Sequence, residues 1–274
     1  MSAAEPAAPT LLVFTLGAAR ESARRSLVPP ALRGMEIGLR RACFEAALEA
    51  GRACGCRLAV CSPDRGRLPA GVEHLPQAGG DFGARFERAC AAAGGRGRGP
   101  LLVVGTDVPG LAGRHLREAL DLLDGDPRRV VLGPSPDGGV YLVAAGLPLP
   151  PLAAVRWCRP STLADLSRVL SAAGREVVLL ETLADLDRPA DLDRFIARQP
   201  NAGPAAGAAR TRGAPRRPPA HDGAAEQRLR PISDLLRRAL ADHRRPPEPA
   251  PAAPSPSPAI PRVTGRAPPL SLLH

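Results

Sequence analysis

Residues Leu101–Leu111 read LLVVGTDVPGL. Four apolar residues run without a break into Gly105-Thr106-Asp107, and Pro109-Gly110 then turns the chain. A short continuous apolar run bounded by turn residues fits a strand buried on both faces. Such a strand carries Asp107 to the rim of a sheet, where open α/β sheets bind their ligands. A lone acid there can also cap the next helix. The adjoining Pro-Gly turn tips the reading toward a ligand role.

Outward from this strand the chain alternates. Upstream, Leu11–Leu16 and Cys56–Cys61 read as strands, and Glu36–Ala50 and Asp81–Ala93 as helices. Downstream, Leu116, Ala119, Leu120 and Leu123 mark a helix. Val130–Leu132 and Val140–Ala144 are strands, Ser161–Ala173 a helix, Glu176–Leu180 a strand and Pro189–Arg198 a helix. The pattern predicts an α/β domain over residues 10–199, with a mostly parallel sheet covered on both faces.

Three more segments place polar residues beside predicted strands. In GPSPDGG, residues 133–139, Asp137-Gly138-Gly139 makes a good turn between strands, and its glycines also permit close backbone approach to a ligand. In LADLDRPADL, residues 183–192, Asp187, Pro189 and Asp191 look like an ordinary helix start. Carboxylates from separate strand ends could nonetheless share one Mg²⁺, a hard ion that favours oxygen ligands. In QAGGDFGAR, residues 77–85, Gly80 and Asp81 precede a helix whose backbone N–H groups suit phosphate. Glycines in that position also occur without any ligand.

The 274 residues contain no lysine, so all 37 basic residues are arginine, against 27 acids. Residues 200–274 hold 12 arginines, 5 acids and 16 of the 33 prolines. The excess charge is therefore mostly in this tail, where APAAPSPSPAI can bury almost nothing. The tail is expected to be mostly disordered, with a short amphipathic basic helix near 231–243 built on Ile232, Leu235, Leu236, Ala239 and Leu240. A chain ending at Pro200 is expected to melt close to the full-length temperature. No apolar run approaches the ~20 residues of a membrane span, and Met1–Thr10 lack the pattern of a secretory leader. A cytoplasmic protein is expected. Aromatic residues make up 3% of the chain, too few for nucleic-acid stacking platforms, so nucleic acid is not the expected partner. The six cysteines form no CxxC pair. Cys54-Gly-Cys56 could hold a metal or a disulfide, and small buried hydrophobes are the commoner role.

Taken together, GTDVPGL, GPSPDGGVYLVAA, QAGGDFGARF and DLDRPADL resemble, in order and spacing, the DUF2064 proteins. These are glycosyltransferase-A-fold, rSAM/selenodomain-associated transferases similar to the 2-phospho-lactate and molybdenum-cofactor guanylyltransferases. The resemblance covers about Leu11–Phe195. It implies a three-layer α/β/α nucleotide-diphospho-sugar transferase-like fold and a Mg²⁺- or Mn²⁺-dependent reaction on a nucleotide or NDP-sugar, with an acceptor it does not name. By the family pattern, Asp107 and Asp187 are metal carboxylates. Asp107 and Asp137 are catalytic, and Gly138 and Gly139 line the cleft, as Gly80 and Asp81 do for the nucleotide. Where the family reads FaKaPvpGrvKTRL, this chain reads VFTLGAARESARRSL, so Leu16 and Glu21 replace a Lys and a Gly. Arg24 and Arg25 are then the basic residues left for phosphate.

Two functions follow. One is a metal-dependent nucleotidyl or glycosyl transferase, favoured by the intact acidic motifs. The other is a non-catalytic nucleotide- or partner-binding protein, favoured by the altered first loop.

Overall fold

The structure is a computed structural model and describes residues 7–94, 99–124, 126–146, 148–199 and 223–244. Seven strands form one sheet: β1 (Thr10–Phe14), β2 (Arg57–Ser62), β3 (Val72–Pro76), β4 (Leu101–Val104), β5 (Arg129–Pro134), β6 (Val140–Ala145) and β7 (Glu176–Leu179). Their spatial order is β3-β2-β1-β4-β6-β5-β7. All neighbouring pairs are parallel except those of β6, which runs antiparallel to β4 and β5.

The helices are α1 (Ala18–Arg24), α2 (Arg33–Ala53), α3 (Phe82–Gly94), α4 (Gly113–Leu123), α5 (Thr162–Ala172), α6 (Pro189–Arg198) and α7 (Gly223–His243). Alternate residues of the strands point to opposite faces. Leu11, Val13, Leu58, Val60, Leu102 and Val104 join α2 and α4 in one core. Leu12, Ala59, Cys61, Leu101 and Val103 join α3 and α5 in another. The three-layer α/β/α architecture with a mostly parallel sheet is therefore as the sequence predicts.

Two elements carry no periodic signal and were not foreseen. The strand β3, VEHLP, lies at the sheet edge and ends in proline, with one fully buried residue, Leu75. The helix α1, AARESAR, buries only Ser22.

A third core lies on the outer side of α2. Leu39, Ala42 and Cys43 pack with Leu27, Val28, Leu186, Leu192 and Ile196, and with Leu229, Leu236 and Leu240 of α7. The basic helix expected near 231–243 thus begins at Gly223, with Pro231 inside it. Proline reads as a helix start, but the buried stripe already includes Leu229, two residues before it. Leu235 is 55% exposed and lies off that stripe. Arg228 of α7 bridges Glu45 and Glu49 of α2. Arg237 donates to the carbonyls of Ile196 and Gln199 at the end of α6, satisfying acceptors that a helix terminus leaves open. The expectation of a mostly disordered tail falls on residues 200–222 and 245–274, which lie outside the described residues.

None of the six cysteines is in a disulfide. Among the described residues no helix is long and apolar enough to cross a membrane.

Candidate active site

Three chain segments converge beyond the carboxyl end of β4. In the first, Gly105-Thr106-Asp107, the strand stops because the chain turns at Pro109-Gly110. Thr106 Oγ1 meets Thr15 Oγ1 from the end of β1 at 3.0 Å. A Cβ at Gly105 would lie 2.8 Å from Asp107 Oδ1, so glycine there leaves room for the carboxylate. Asp107 does not cap a helix. Its carbonyl accepts the amide of Leu186 at 2.8 Å.

The second segment is the turn between β5 and β6. Gly138 has φ +86°, and a Cβ there would meet the Pro160 carbonyl oxygen at 1.9 Å. The Gly138 carbonyl also accepts the Leu163 amide. Gly138 therefore shapes the turn and fixes the start of α5 against it, while Asp137 and Gly139 line the cleft. Asp137 Oδ1 accepts the Gly139 amide at 2.8 Å. The turn role and the cleft role read from the sequence thus coexist in one loop.

The third segment is Asp185-Leu186-Asp187. The expected capping acid, Asp187, does not cap α6. Asp191 does so, with Oδ2 accepting the amides of Asp187 and Arg188. Asp187 is left to face the cleft. One carboxylate oxygen from each of Asp137, Asp185 and Asp187 lies within 4.8 Å of the other two. Burial raises the Asp185 pKa to about 7, reinforced by Asp137, Asp107 and Asp187. Burial and then Asp187 raise that of Asp107 to about 6. Four carboxyl groups share one region, and like charges at such distances resist joint ionisation.

Asp185 is the member that the sequence reading passed over. Its raised pKa comes from burial and from acids 48 and 78 positions away in the chain, which no local pattern displays.

Cations approach from the altered first loop. Residues 18–24 of this loop form the helix α1, and Arg24 at its end and Arg25 just after it line the cleft. Arg25 forms an ion pair with Asp187. Glu21 Oε1 accepts the Leu16 amide at 3.2 Å and so closes the loop that precedes its own helix. Arg40 and Glu36 form a buried pair at 2.8 Å. Arg40 also donates to the Arg25 carbonyl, and Glu36 accepts the Leu27 amide and the Ser26 hydroxyl. This pair holds residues 25–27 on α2, and Arg40 reaches the cleft floor. In the sequence it looks like an ordinary solvated i,i+4 pair.

The remaining wall is aromatic. Phe14, Phe82, Phe86 and Trp157 pack together, Trp157 lying 5.2 Å from Phe82 and 4.7 Å from Phe86. Gly83 makes room for the indole, since a Cβ there would stand 2.8 Å from Trp157 Nε1. Gln77 and Arg85 line the same cleft. Gly80 and Asp81 do not, among the described residues. Asp81 Oδ1 accepts the Ala84 amide, an N-cap for α3, and the Gly80 carbonyl accepts from Arg85. The Trp157 loop is held by Asp165, whose carboxylate binds Arg156 and Ser161.

Residues 43–159 match the model of a family described as "uncharacterized protein conserved in bacteria", DUF2064, which bears out the resemblance carried by the motifs over that stretch. A candidate nucleotide-diphospho-sugar transferase from Desulfovibrio desulfuricans G20 is similar in structure. The TM-score is 0.63 at 20% identity, over 84% of this chain and 97% of that one. This likeness shows a shared fold. A candidate glucose-1-phosphate thymidylyltransferase from Bacillus anthracis, solved with sucrose, is more loosely similar. Its TM-score is 0.45 at 10% identity, over 72% of this chain and 98% of that one. No curated protein matches the sequence.

Proposed function

We propose that this chain, which matches DUF2064 over residues 43–159, is a divalent-cation-dependent transferase acting on a nucleotide or sugar nucleotide. The observation that most supports this reading is the acidic cluster of Asp137, Asp185 and Asp187, with Asp107 beside it and Arg24 and Arg25 on the same cleft. An all-carboxylate donor set suits Mg²⁺ or Mn²⁺. The ion would be held by Asp185 and Asp187 with Asp137 or Asp107. Its chemistry there would be to neutralise phosphate oxygens.

The protein's own groups do the rest. Arg25, displaced from Asp187, and Arg24 take phosphate oxygens as charge-assisted donors. The Phe82–Trp157 wall gives a flat apolar surface. Asp107, ionised above about pH 6, accepts the proton of the acceptor hydroxyl. The acceptor oxygen forms a bond to phosphorus, and pyrophosphate leaves with the electron pair of the bond broken. In the glycosyl version the new bond is to the anomeric carbon, and the nucleoside diphosphate leaves.

A non-catalytic binding role has one observation in its favour. The Glu21 carboxylate occupies the Leu16 amide, a donor that a phosphate loop would otherwise offer.

Trp157 is the sole tryptophan of the chain, so its fluorescence reports on the cleft. Nucleoside triphosphates and NDP-sugars are titrated with and without Mg²⁺ or Mn²⁺. Active mixtures are then followed for release of pyrophosphate or nucleoside diphosphate in the presence of candidate acceptors. Cation-dependent binding with turnover supports the transferase. Binding without turnover moves the reading to the non-catalytic role, and no nucleotide response at all overturns both.

A further inference from the structure

The segment from Asp107 to His115 leads from β4 into α4, and the segment from Glu181 to Leu186 follows β7 and carries Asp185. The two are bonded at both ends. At one end the Leu186 amide donates to the Asp107 carbonyl at 2.8 Å. At the other, His115 Nε2 and Glu181 Oε1 lie 2.7 Å apart. Between these clasps the segments run together, since a Cβ at Gly110 would lie 3.8 Å from Leu183 Cδ2. The chain thus closes a ring on which Asp107 and Asp185 both lie.

His115 is fully buried, and its partners fix its proton. The Ala112 amide donates to Nδ1 at 3.0 Å, while the Ala112 carbonyl already accepts the His115 amide. The neutral ring therefore carries its proton on Nε2 and donates it to Glu181. This bond, more than any other contact, holds the Glu181 carboxyl below the usual carboxylate range. Arg114 reaches the same oxygen at 3.3 Å from an exposed position, a contact of small worth. The Tyr141 hydroxyl donates to the Glu181 carbonyl but comes from β6 and sets no relation to α4. With both nitrogens engaged, the imidazole has none left to serve a substrate as acid or base.

We propose that His115 is a positioning residue for the cation site: through Glu181 it fixes the segment carrying Asp185 and Asp187 against the one that begins at Asp107. The proposal rests on the reading of these acids as a cation site. With the clasp in place, the ion meets carboxylates already arranged. With it open, the ion must order that segment as it binds, at a cost in affinity.

Two substitutions separate the clasp from the helix cap that the same ring provides. Asparagine keeps an acceptor at the Nδ1 position and cannot reach Glu181, whereas glutamine places an amide N–H near the Nε2 position and lacks the Nδ1 acceptor. Mn²⁺ is titrated calorimetrically into the full-length protein at pH 8. His115→Asn and Glu181→Ala are each expected to weaken Mn²⁺ about tenfold. The double variant is expected to lose no more than about twofold further, because both changes open one clasp. His115→Gln is expected to stay within about threefold of the unsubstituted protein. Glu181 is half-exposed, so its variant opens the clasp without leaving a cavity. Unchanged affinity in either Glu181→Ala or His115→Asn overturns the proposal. So does an equal loss in His115→Gln, which would mean that packing alone matters, and so do losses that add in the double variant. Each of these leaves the cation site standing. Failure of the unsubstituted protein to bind Mn²⁺ removes the cation site and the proposal with it.

Discussion

The amide of Leu186 donates to the carbonyl of Asp107 at 2.8 Å. This one hydrogen bond ties the end of β4 to the acids on either side of Leu186. It makes Asp107, Asp185 and Asp187 a single unit although 78 positions of chain separate the first two. Leu186 itself is buried against α2 and α7, so the register of the acids is set by packing.

Asp185→Asn is expected to weaken Mg²⁺ or Mn²⁺ binding at least tenfold, about 1.4 kcal/mol, without unfolding the protein. Its carboxylate is half-buried at the rim and supports no element. Cation-induced thermal shift is the measurement. An unchanged shift removes Asp185 from the donor set.

The acids predict a pH dependence of definite sign. Asp185 and Asp107 have folded-state pKa values raised to about 7 and about 6. The native state therefore holds protons that the unfolded state releases near pH 4. Without a cation, stability falls as pH rises from about 4 to about 7 through these two groups. A divalent cation must displace those protons, so its affinity rises over the same range. Urea midpoints at pH 5 and pH 8, with and without Mg²⁺, measure both effects. Asp185→Asn is expected to flatten both slopes.

Arg25→Ala is expected to act in opposite directions on two ligands. It frees Asp187 from its ion pair, so cation affinity rises. It also removes a phosphate donor, so nucleotide affinity falls by about tenfold. Calorimetry on each ligand separately decides. The same direction for both would mean that Arg25 acts through folding.

Leu236→Ala in α7 is expected to cost about 2–5 kcal/mol, as for other buried leucines. For a domain of this size that lowers the melting temperature by roughly 5–15 °C. A chain ending at Gln199 loses Leu229, Leu236 and Leu240 together and is expected to fall further. This reverses the expectation of near-normal melting drawn from the proline-rich composition.

Gly138→Ala is expected to destabilise by more than the ~1–3 kcal/mol that a strained backbone alone costs. The added Cβ meets the backbone oxygen of Pro160, which no side-chain rotation can relieve. Denaturant unfolding gives the cost. A loss below 1 kcal/mol would show that the loop carrying Cys158 and Pro160 can move aside.

The sheet was legible because its strands are continuous apolar runs and its helices have clean stripes. The positions of Asp107 and Asp137 next to strand ends were legible for the same reason, since each sits beside such a run. Arg40 was not. A charge in mid-helix reads as solvated, and its burial depends on Leu27 and Glu36 closing over it from another turn of the chain. Trp157 and Arg85 were missed because the cleft wall is assembled from β1, α3 and the loop before α5. Gly80 and Asp81 show the ambiguity of a helix start. A helix start rich in glycine reads the same whether its acid serves a ligand or the helix, and here Asp81 serves α3.

The helix α7 is joined to α6 through the chain between Gln199 and Gly223, so a cleavage site engineered there would leave its seat on α2 and α6 held by non-covalent contacts alone. While the chain is continuous, docking of the helix is intramolecular. After a cut, docking becomes bimolecular and depends on dilution. Leu27, next but one to Arg25, and Leu186, between the two acids, pack in the same core as the helix. Ligand affinity at the acids would then become a function of protein concentration, a property that an uncut chain cannot have.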